Sequence, residues 1–266
     1  MIPTFVISLK DEQQRRDYSA AHLRQRGFEF EFFDAIDARK MNVLSHPDYD
    51  HARRRRSHGR DLKPGELGCF LSHRAVYQKI ITDNLPFALV VEDDCIFHEN
   101  AKDVLEAFLA KNLEFDVIRL LGSKKVAEGK HRKILPICQK SGEEFWLIRL
   151  RTAYGGTHAT LISQAGARKL IKATRKFAYP IDTLMGRCWE TGIQAYSIQP
   201  GLAVQDEAMD STIGDARMDK TIELDGFEKW MFKVTRPAFK LDEACGKAQT
   251  YWLNAPKDLA LKKKFR

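Results

Sequence analysis

Residues 89–94 read LVVEDD, three apolar residues that run straight into Glu92, Asp93 and Asp94. Carboxylates this close raise one another's pKa unless something positive sits between them. Hard divalent ions such as Mg2+ or Mn2+ take one or two carboxylates and complete their shell with substrate phosphate oxygens. The pattern therefore predicts a metal site that grips a diphosphate. The same acids would also serve as a solvated strand end that caps the next helix, where the helix dipole favours negative charge.

The position of the acids depends on the elements around them. The run FALVVEDD reads as a buried parallel strand, and ligands of open α/β sheets bind outside the carboxyl ends of such strands. TFVISL (4–9) is a second apolar run of this kind. A helix is expected over DEQQRRDYSAAHLRQRG, ending at Gly27, and a second strand over FEFEFFDAID (28–37). LKPGELGCFLSHRAVYQKIITDN (62–84) has a helical apolar face through Leu67, Leu71, Val76, Ile80 and Ile81. Further on, ENAKDVLEAFLAKN reads as a helix and FDVIRLL, EFWLIRL and HATLIS as strands. SQAGARKLIKATRKF reads as a helix capped by Ser163, and IQAYSIQPGLAVQ as the last strand. GSKKVAEGKHRK is expected to be a loop or hairpin tip, and residues 38–62, with Pro47 and an arginine run, a mobile surface loop.

A chain of 266 residues can bury one sizeable α/β domain. No apolar run approaches the ~18 residues of a spanning helix, and MIPTFVISLK reads as a first strand rather than a signal peptide. The five cysteines are scattered without a C-x-x-C pair, which argues against a disulfide framework or structural zinc and fits a reducing compartment. The net charge of +8 is local: HARRRRSHGR (51–60) carries +5 and KDLALKKKFR (257–266) carries +4, leaving −1 for the remainder. From residue 225 the chain interleaves Trp230, Phe232, Phe239, Tyr251 and Trp252 with Lys and Arg, like an interfacial segment, with Pro237 and Pro256 expected to break it into short pieces. The expected organisation is a domain over 1–224 and a basic, aromatic extension over 225–266.

Four ordered motifs add to this reading: VISLKDEQQRR (6–16), FFDAIDA (32–38), LKPGELGCFLSHRAVY (62–77) and ALVVEDDCIF (88–97). Together with TAYGGTHATLISQAGARKLI, YPIDTLM and QPGLAVQDEAMDSTI they resemble glycosyltransferase family 25 across residues 3–213. The resemblance implies a GT-A, Rossmann-like fold with a mostly parallel central sheet, a UDP-sugar donor (UDP-galactose in the commonest members), a divalent metal, Mn2+ or Mg2+, and inversion at the anomeric carbon. It implies donor contacts from Ile7, Ser8, Leu9, Arg15, Arg16, Ala35, Asp37, Ser72, His73, Glu92, Asp93 and Gln205. It also implies Asp94, with Asp93 beside it, at the metal, and Asp182 as general base with Asp206 and Glu207 as alternatives; Ser211 is a further late-loop contact. His73 has an equal reading as a satisfied core histidine, and Asp182 as a helix N-cap.

The expected acceptor is a lipooligosaccharide, lipopolysaccharide or related glycan at the cytoplasmic membrane face. Tail Lys and Arg would each add about 1 kcal/mol at an anionic surface. Two rival classes stay open: a nucleotidyltransferase or other metal-dependent phosphate-ester enzyme, and a non-catalytic basic module. No nucleic acid is expected, because the basic residues lie outside the core and lack an RNA-recognition signature.

Overall fold

The computed structural model describes residues 1–122, 126, 128–152, 155–206 and 222–265. Strand β1 (Thr4–Ser8), helix α1 (Gln13–Gln25) and strand β2 (Glu31–Asp34) form the expected βαβ unit. Gly27 ends the helical segment at φ +76°, a left-handed conformation glycine adopts without steric cost. Helix α2 (His51–His58) precedes helix α3 (Pro64–Thr82). In α3, Pro64 occupies the first turn, where its missing N–H costs nothing, and the Glu66 carboxylate accepts the Lys63 amide at 2.8 Å. Strand β3 (Phe87–Glu92) follows, then β4 (Cys95–Phe97), α4 (Ala101–Ala110), β5 (Val117–Arg119), β6 (His131–Lys140) and β7 (Glu143–Leu150). The chain continues through β8 (Ala159–Ser163), α5 (Gln164–Ala173), α6 (Ile181–Gly186), α7 (Cys188–Thr191), β9 (Ala195–Gln199) and β10 (Ala203–Gln205), and closes with α8 (Gly226–Leu253) and α9 (Ala255–Lys264).

Eight strands form one sheet in the order β2-β1-β3-β8-β5-β9-β7-β6. Six run in one direction and two, β8 and β7, run against them. This is a mixed α/β sheet of Rossmann-like, GT-A character. Central β3 is paired with β1 on one side and β8 on the other, which is why its sequence is an unbroken apolar run. One face packs Val6, Leu89, Val91 and Ile118 against Leu23 of α1 and Val104, Leu105 and Phe108 of α4. The opposite face packs Phe5, Val90 and Val117 against Leu67 and Phe70 of α3 and Leu170 of α5. The strand ends Ser8, Asp34 and Glu92 therefore come together at one edge.

Three expectations are corrected. The arginine run is helix α2 rather than a loop: Asp50 caps it by accepting the Arg53 amide, Gly59 ends it at φ +76°, and Arg54 is buried. Arg53 pairs with Glu190, and Arg55 with Asp61 and Glu228, which local sequence could not reveal. Residues 131–133, expected in the loop or hairpin tip of GSKKVAEGKHRK, begin an outer strand over His131–Lys140 that pairs with β7, and Pro136 lies at an irregularity in its register. Pro237 does not break the tail. Helix α8 runs 28 residues through it, with Pro237 exposed and the opposite face anchored by Phe232 and by Gly246, whose missing Cβ admits the Trp189 ring. Such packing outweighs the ~3 kcal/mol helical cost of proline.

The tail is tied to the body by one buried carboxylate. Asp258 of α9 accepts from Arg149 Nε at 2.8 Å and Arg132 Nη1 at 2.7 Å, with its side chain fully buried.

Candidate functional site

The acids of LVVEDD sit at the tip of β3 and in the tight turn to β4. Asp93 and Asp94 are buried, at 8% and 7% exposure. Asp93 is clasped on both oxygens: Arg15 Nε of α1 donates to Oδ1 at 3.0 Å, and Ser8 Oγ of β1 donates to Oδ2 at 2.6 Å. Asp94 Oδ2 accepts Gln205 Nε2 at 2.8 Å, a contact set by the antiparallel register that puts Gln205 opposite Cys95. Asp94 Oδ1 is buried with no hydrogen-bond partner among the described residues. Burial, and then the neighbouring Glu92 charge, push the Asp94 carboxyl up to about 6. Glu92 moves the other way. Burial works against its charge, yet His73 Nε2 at 3.1 Å and Thr157 Oγ1 at 2.5 Å hold it well below the usual carboxylate range.

A buried carboxylate oxygen without a partner is costly unless a cation or proton meets it. The donor set fits a hard divalent ion: a free oxygen on Asp94, Asp93 beside it, and an adjoining cleft for phosphate oxygens. Of the two acids expected at the metal, Asp94 has the open lone pairs, and Asp93 is engaged by Arg15 and Ser8. A second constellation lies deeper, where Cys69, His73 and Glu92 bring their ligand atoms within 4.8 Å of one another. Burial pushes the Cys69 thiol well up, which leaves it a protonated and weak ligand.

The cleft beside the acids opens about 770 Å3 of space continuous with solvent. Ile7, Ser8, Leu9, Arg15, Ala35, Asp37, Ser72, His73, Glu92, Asp93, Asp94 and Gln205 all line it. Twelve residues from six separate stretches thus meet at one place. Several do so in a manner the sequence did not show. Ser72 is fully buried, donates to Gly68 O at 2.7 Å and accepts the Ile36 amide at 2.8 Å, so its hydroxyl positions the loop after β2. Asp37 is held at about 2 by hydrogen bonds from Arg39, which also lines the cleft and was not singled out in the sequence. Thr157, the partner of Glu92, was missed too, because nothing in GGTHAT signals a carboxylate 65 residues away.

Three expected residues, Arg16, Asp182 and Asp206, lie off the cleft wall. Arg16 turns to Ser8 O at 2.9 Å and to Asp34, joining the ends of β1 and β2. Asp182 lies across the Gly155-Gly156 turn, where Oδ2 accepts the Gly156 amide at 3.1 Å and Oδ1 accepts the Thr183 amide at 2.6 Å. A Cβ on residue 155 would stand 2.9 Å from Oδ2, so glycine there keeps that oxygen uncovered. Asp206 accepts from Tyr18 at 2.9 Å, and its amide donates to the Asp94 carbonyl at 2.8 Å. Glu207 and Ser211 lie outside the described residues.

A sheet of this topology with an acid turn at the tip of a central strand is the arrangement of a nucleotide-sugar-binding fold. The sequence model of glycosyltransferase family 25 (LPS biosynthesis protein) matches residues 1–185, and the chain belongs to that family. It is 30% identical over 217 residues to a rat protein named probable inactive glycosyltransferase 25 family member 3, covering 75% of this chain and 37% of that one. It is 29% identical to the lipooligosaccharide biosynthesis protein lic2B of Haemophilus influenzae, covering 76% and 75% of the two chains. Procollagen galactosyltransferase 1-A of Xenopus laevis is 30% identical over 184 residues, 64% of this chain and 28% of that one. The chain thus spans little more than a third of the rat relative. Among the described residues, no helix is long and apolar enough to cross a membrane.

Proposed function

We propose that this chain is a metal-dependent, inverting glycosyltransferase that moves galactose from UDP-galactose onto a hydroxyl of a lipooligosaccharide, lipopolysaccharide or related glycan. The observation that carries this reading is the unpartnered, buried oxygen of Asp94 at the head of a cleft lined by Arg15, Ser8 and Asp37. Mn2+ or Mg2+ held by Asp94, with Asp93 beside it, would stabilise the charge of the leaving diphosphate as a Lewis acid. Arg15, bound to Asp93 and 3.6 Å from Asp94, fixes the geometry of both acids and adds positive charge where the diphosphate is expected. Ile7, Leu9 and Ala35 supply the apolar wall for the nucleoside. His73 and Thr157 keep Glu92 ionised and oriented towards the donor.

Asp182 is the proposed general base. Its Oδ2 retains a lone pair beside the Gly156 amide, and a proton taken there from the acceptor hydroxyl lets that oxygen attack the anomeric carbon from the face opposite the diphosphate. One carboxylate and one displacement give inversion. The names of lic2B and the procollagen galactosyltransferase support the galactosyl donor and glycan acceptor.

Attachment to an anionic membrane surface is part of the same proposal. Phe227, Trp230, Val234, Leu241 and Trp252 are exposed on α8, within about 60° of one another at 3.6 residues per turn. Lys229, Lys233 and Lys240 are exposed along one flank of this stripe. An apolar stripe flanked by lysines suits a helix lying in the headgroup region, which would hold the enzyme at the cytoplasmic face beside a glycolipid acceptor.

The test is incubation with UDP-galactose, Mn2+ and a lipooligosaccharide acceptor, followed by mass analysis of the products. Transfer is expected from the wild type and not from Asp94→Ala. Transfer by Asp94→Ala at the wild-type rate, with unchanged Mn2+ dependence, overturns the assignment. The inactive designation of the rat relative favours one second reading, donor binding without transfer. It predicts UDP-galactose binding and no product in the same assay.

A further inference from the structure

A second cavity lies beyond Asp182, between the sheet, the α6–α7 corner and α8. It opens about 490 Å3 of space and is lined by Arg119, Arg149, Arg151, Trp189 and Lys247 among others. Its cations differ in what they face. Arg149 is neutralised by Asp258, and Lys247 pairs with Glu243. Arg119 has no such partner. It is 3% exposed, its Nη2 donates to Gly156 O at 2.5 Å, and among the described residues its Nε has no hydrogen-bond partner and no carboxylate stands within ion-pair distance. Trp189 Nε1 is also a buried donor without an acceptor among the described residues. Its ring is fixed between the Arg187 guanidinium, 4.6 Å from the centroid, and the Cβ-free surface of Gly246. Two buried donors without acceptors, one of them on a guanidinium that the Asp182 charge offsets only through space and not by an ion pair, leave the cavity electrostatically incomplete. An anion with several acceptor oxygens completes them.

The cavity is also placed to matter. Gly156 gives its carbonyl to Arg119 and its amide to Asp182, and the next residue, Thr157, holds Glu92. One short loop thus runs from the cavity, past the proposed base, to the donor cleft. We propose that the cavity bounded by Arg119, Arg151, Trp189 and Lys247 binds an anionic substituent, a phosphate or a carboxylate, of the acceptor saccharide. The inference rests on the glycosyltransferase reading above. A sugar whose reacting hydroxyl faces Asp182 has a neighbouring residue or ring substituent within reach of this pocket, so the site selects acidic acceptors over neutral ones.

The test is calorimetric titration of inorganic phosphate, and separately acetate, into the full-length protein with its donor cleft filled by saturating UDP and Mn2+. At least one anion is expected to bind, about tenfold more weakly in Arg119→Met and in the Arg151→Ala/Lys247→Ala double variant. Trp189→Phe, which removes only the indole N–H, is expected to weaken it by a smaller factor. The surface double variant keeps the test valid should Arg119→Met not fold. Tighter phosphate binding assigns a phosphorylated acceptor, and tighter acetate binding a carboxylated one. Absence of binding by either anion, or equal affinity in the variants, overturns the proposal. Failure of UDP to bind the wild type would instead strike the donor-site reading, a separate signal in the same instrument.

Discussion

Replacing Asp94 by Asn should stabilise the metal-free protein while abolishing its activity. Asp94 is 7% exposed, and burial together with Glu92 raises its carboxyl from an ordinary 3.8 to about 6. The native state therefore holds this proton more tightly than the unfolded chain does. The resulting stabilisation is complete below pH 3.8, falls as pH rises and is gone above 6. Above pH 6 the ionised carboxylate is a burden of about 3 kcal/mol, from about two pH units at 1.36 kcal/mol each. Asn keeps the shape and the Gln205 contact without the charge, and Arg15 keeps its main partner Asp93. For a chain of 266 residues this amounts to a rise in Tm of about 5 °C. The assay is thermal unfolding of wild type and Asp94→Asn from pH 4 to 8, with chelator and then with Mn2+. The difference should be near zero at pH 4, reach its plateau above pH 6 and shrink or reverse when Mn2+ stabilises only the wild type. A variant less stable than wild type at pH 8, or a difference that ignores pH, refutes the electrostatic account of this turn.

Other outcomes follow from the same contacts. Gly155→Ala places a Cβ 2.9 Å from Asp182 Oδ2 and should lower kcat by about a hundredfold with UDP-galactose affinity unchanged, read by steady-state kinetics and calorimetry. Asp258→Asn leaves Arg149 buried without its counter-charge and should cost about 3–5 kcal/mol in urea unfolding, with the C-terminal helices losing amide protection first. The Trp230→Ser/Trp252→Ser variant removes two exposed anchors and should weaken sedimentation with phosphatidylglycerol vesicles at least about tenfold, with transfer to a soluble acceptor unaffected.

The strands of the central sheet and helix α3 were legible because apolar runs and a helical apolar face are local signals. The outer strand β6 was not, since Pro136 and the flanking Lys and Arg disguise it and its pairing partner lies in the following strand. The burial of Arg54 and the continuity of α8 through Pro237 are tertiary effects with no trace in their own segments. At the site, the acids, Arg15 and Gln205 could be found from strand ends and motif order. Their division of labour could not, because it depends on which oxygen each neighbour reaches: Ser8 and Arg15 engage Asp93, and Asp94 keeps one oxygen open. Arg16, indistinguishable from Arg15 in a sequence that reads QQRRD, instead pairs with Asp34 at the end of β2.

Titration of UDP-galactose into the purified protein with and without Mn2+, repeated on Asp94→Ala, addresses the metal-bridged donor site most directly. Binding should require the metal in the wild type and disappear in the variant. Equal affinity across all four measurements would contradict a cation shared by the β3 carboxylates and the donor diphosphate.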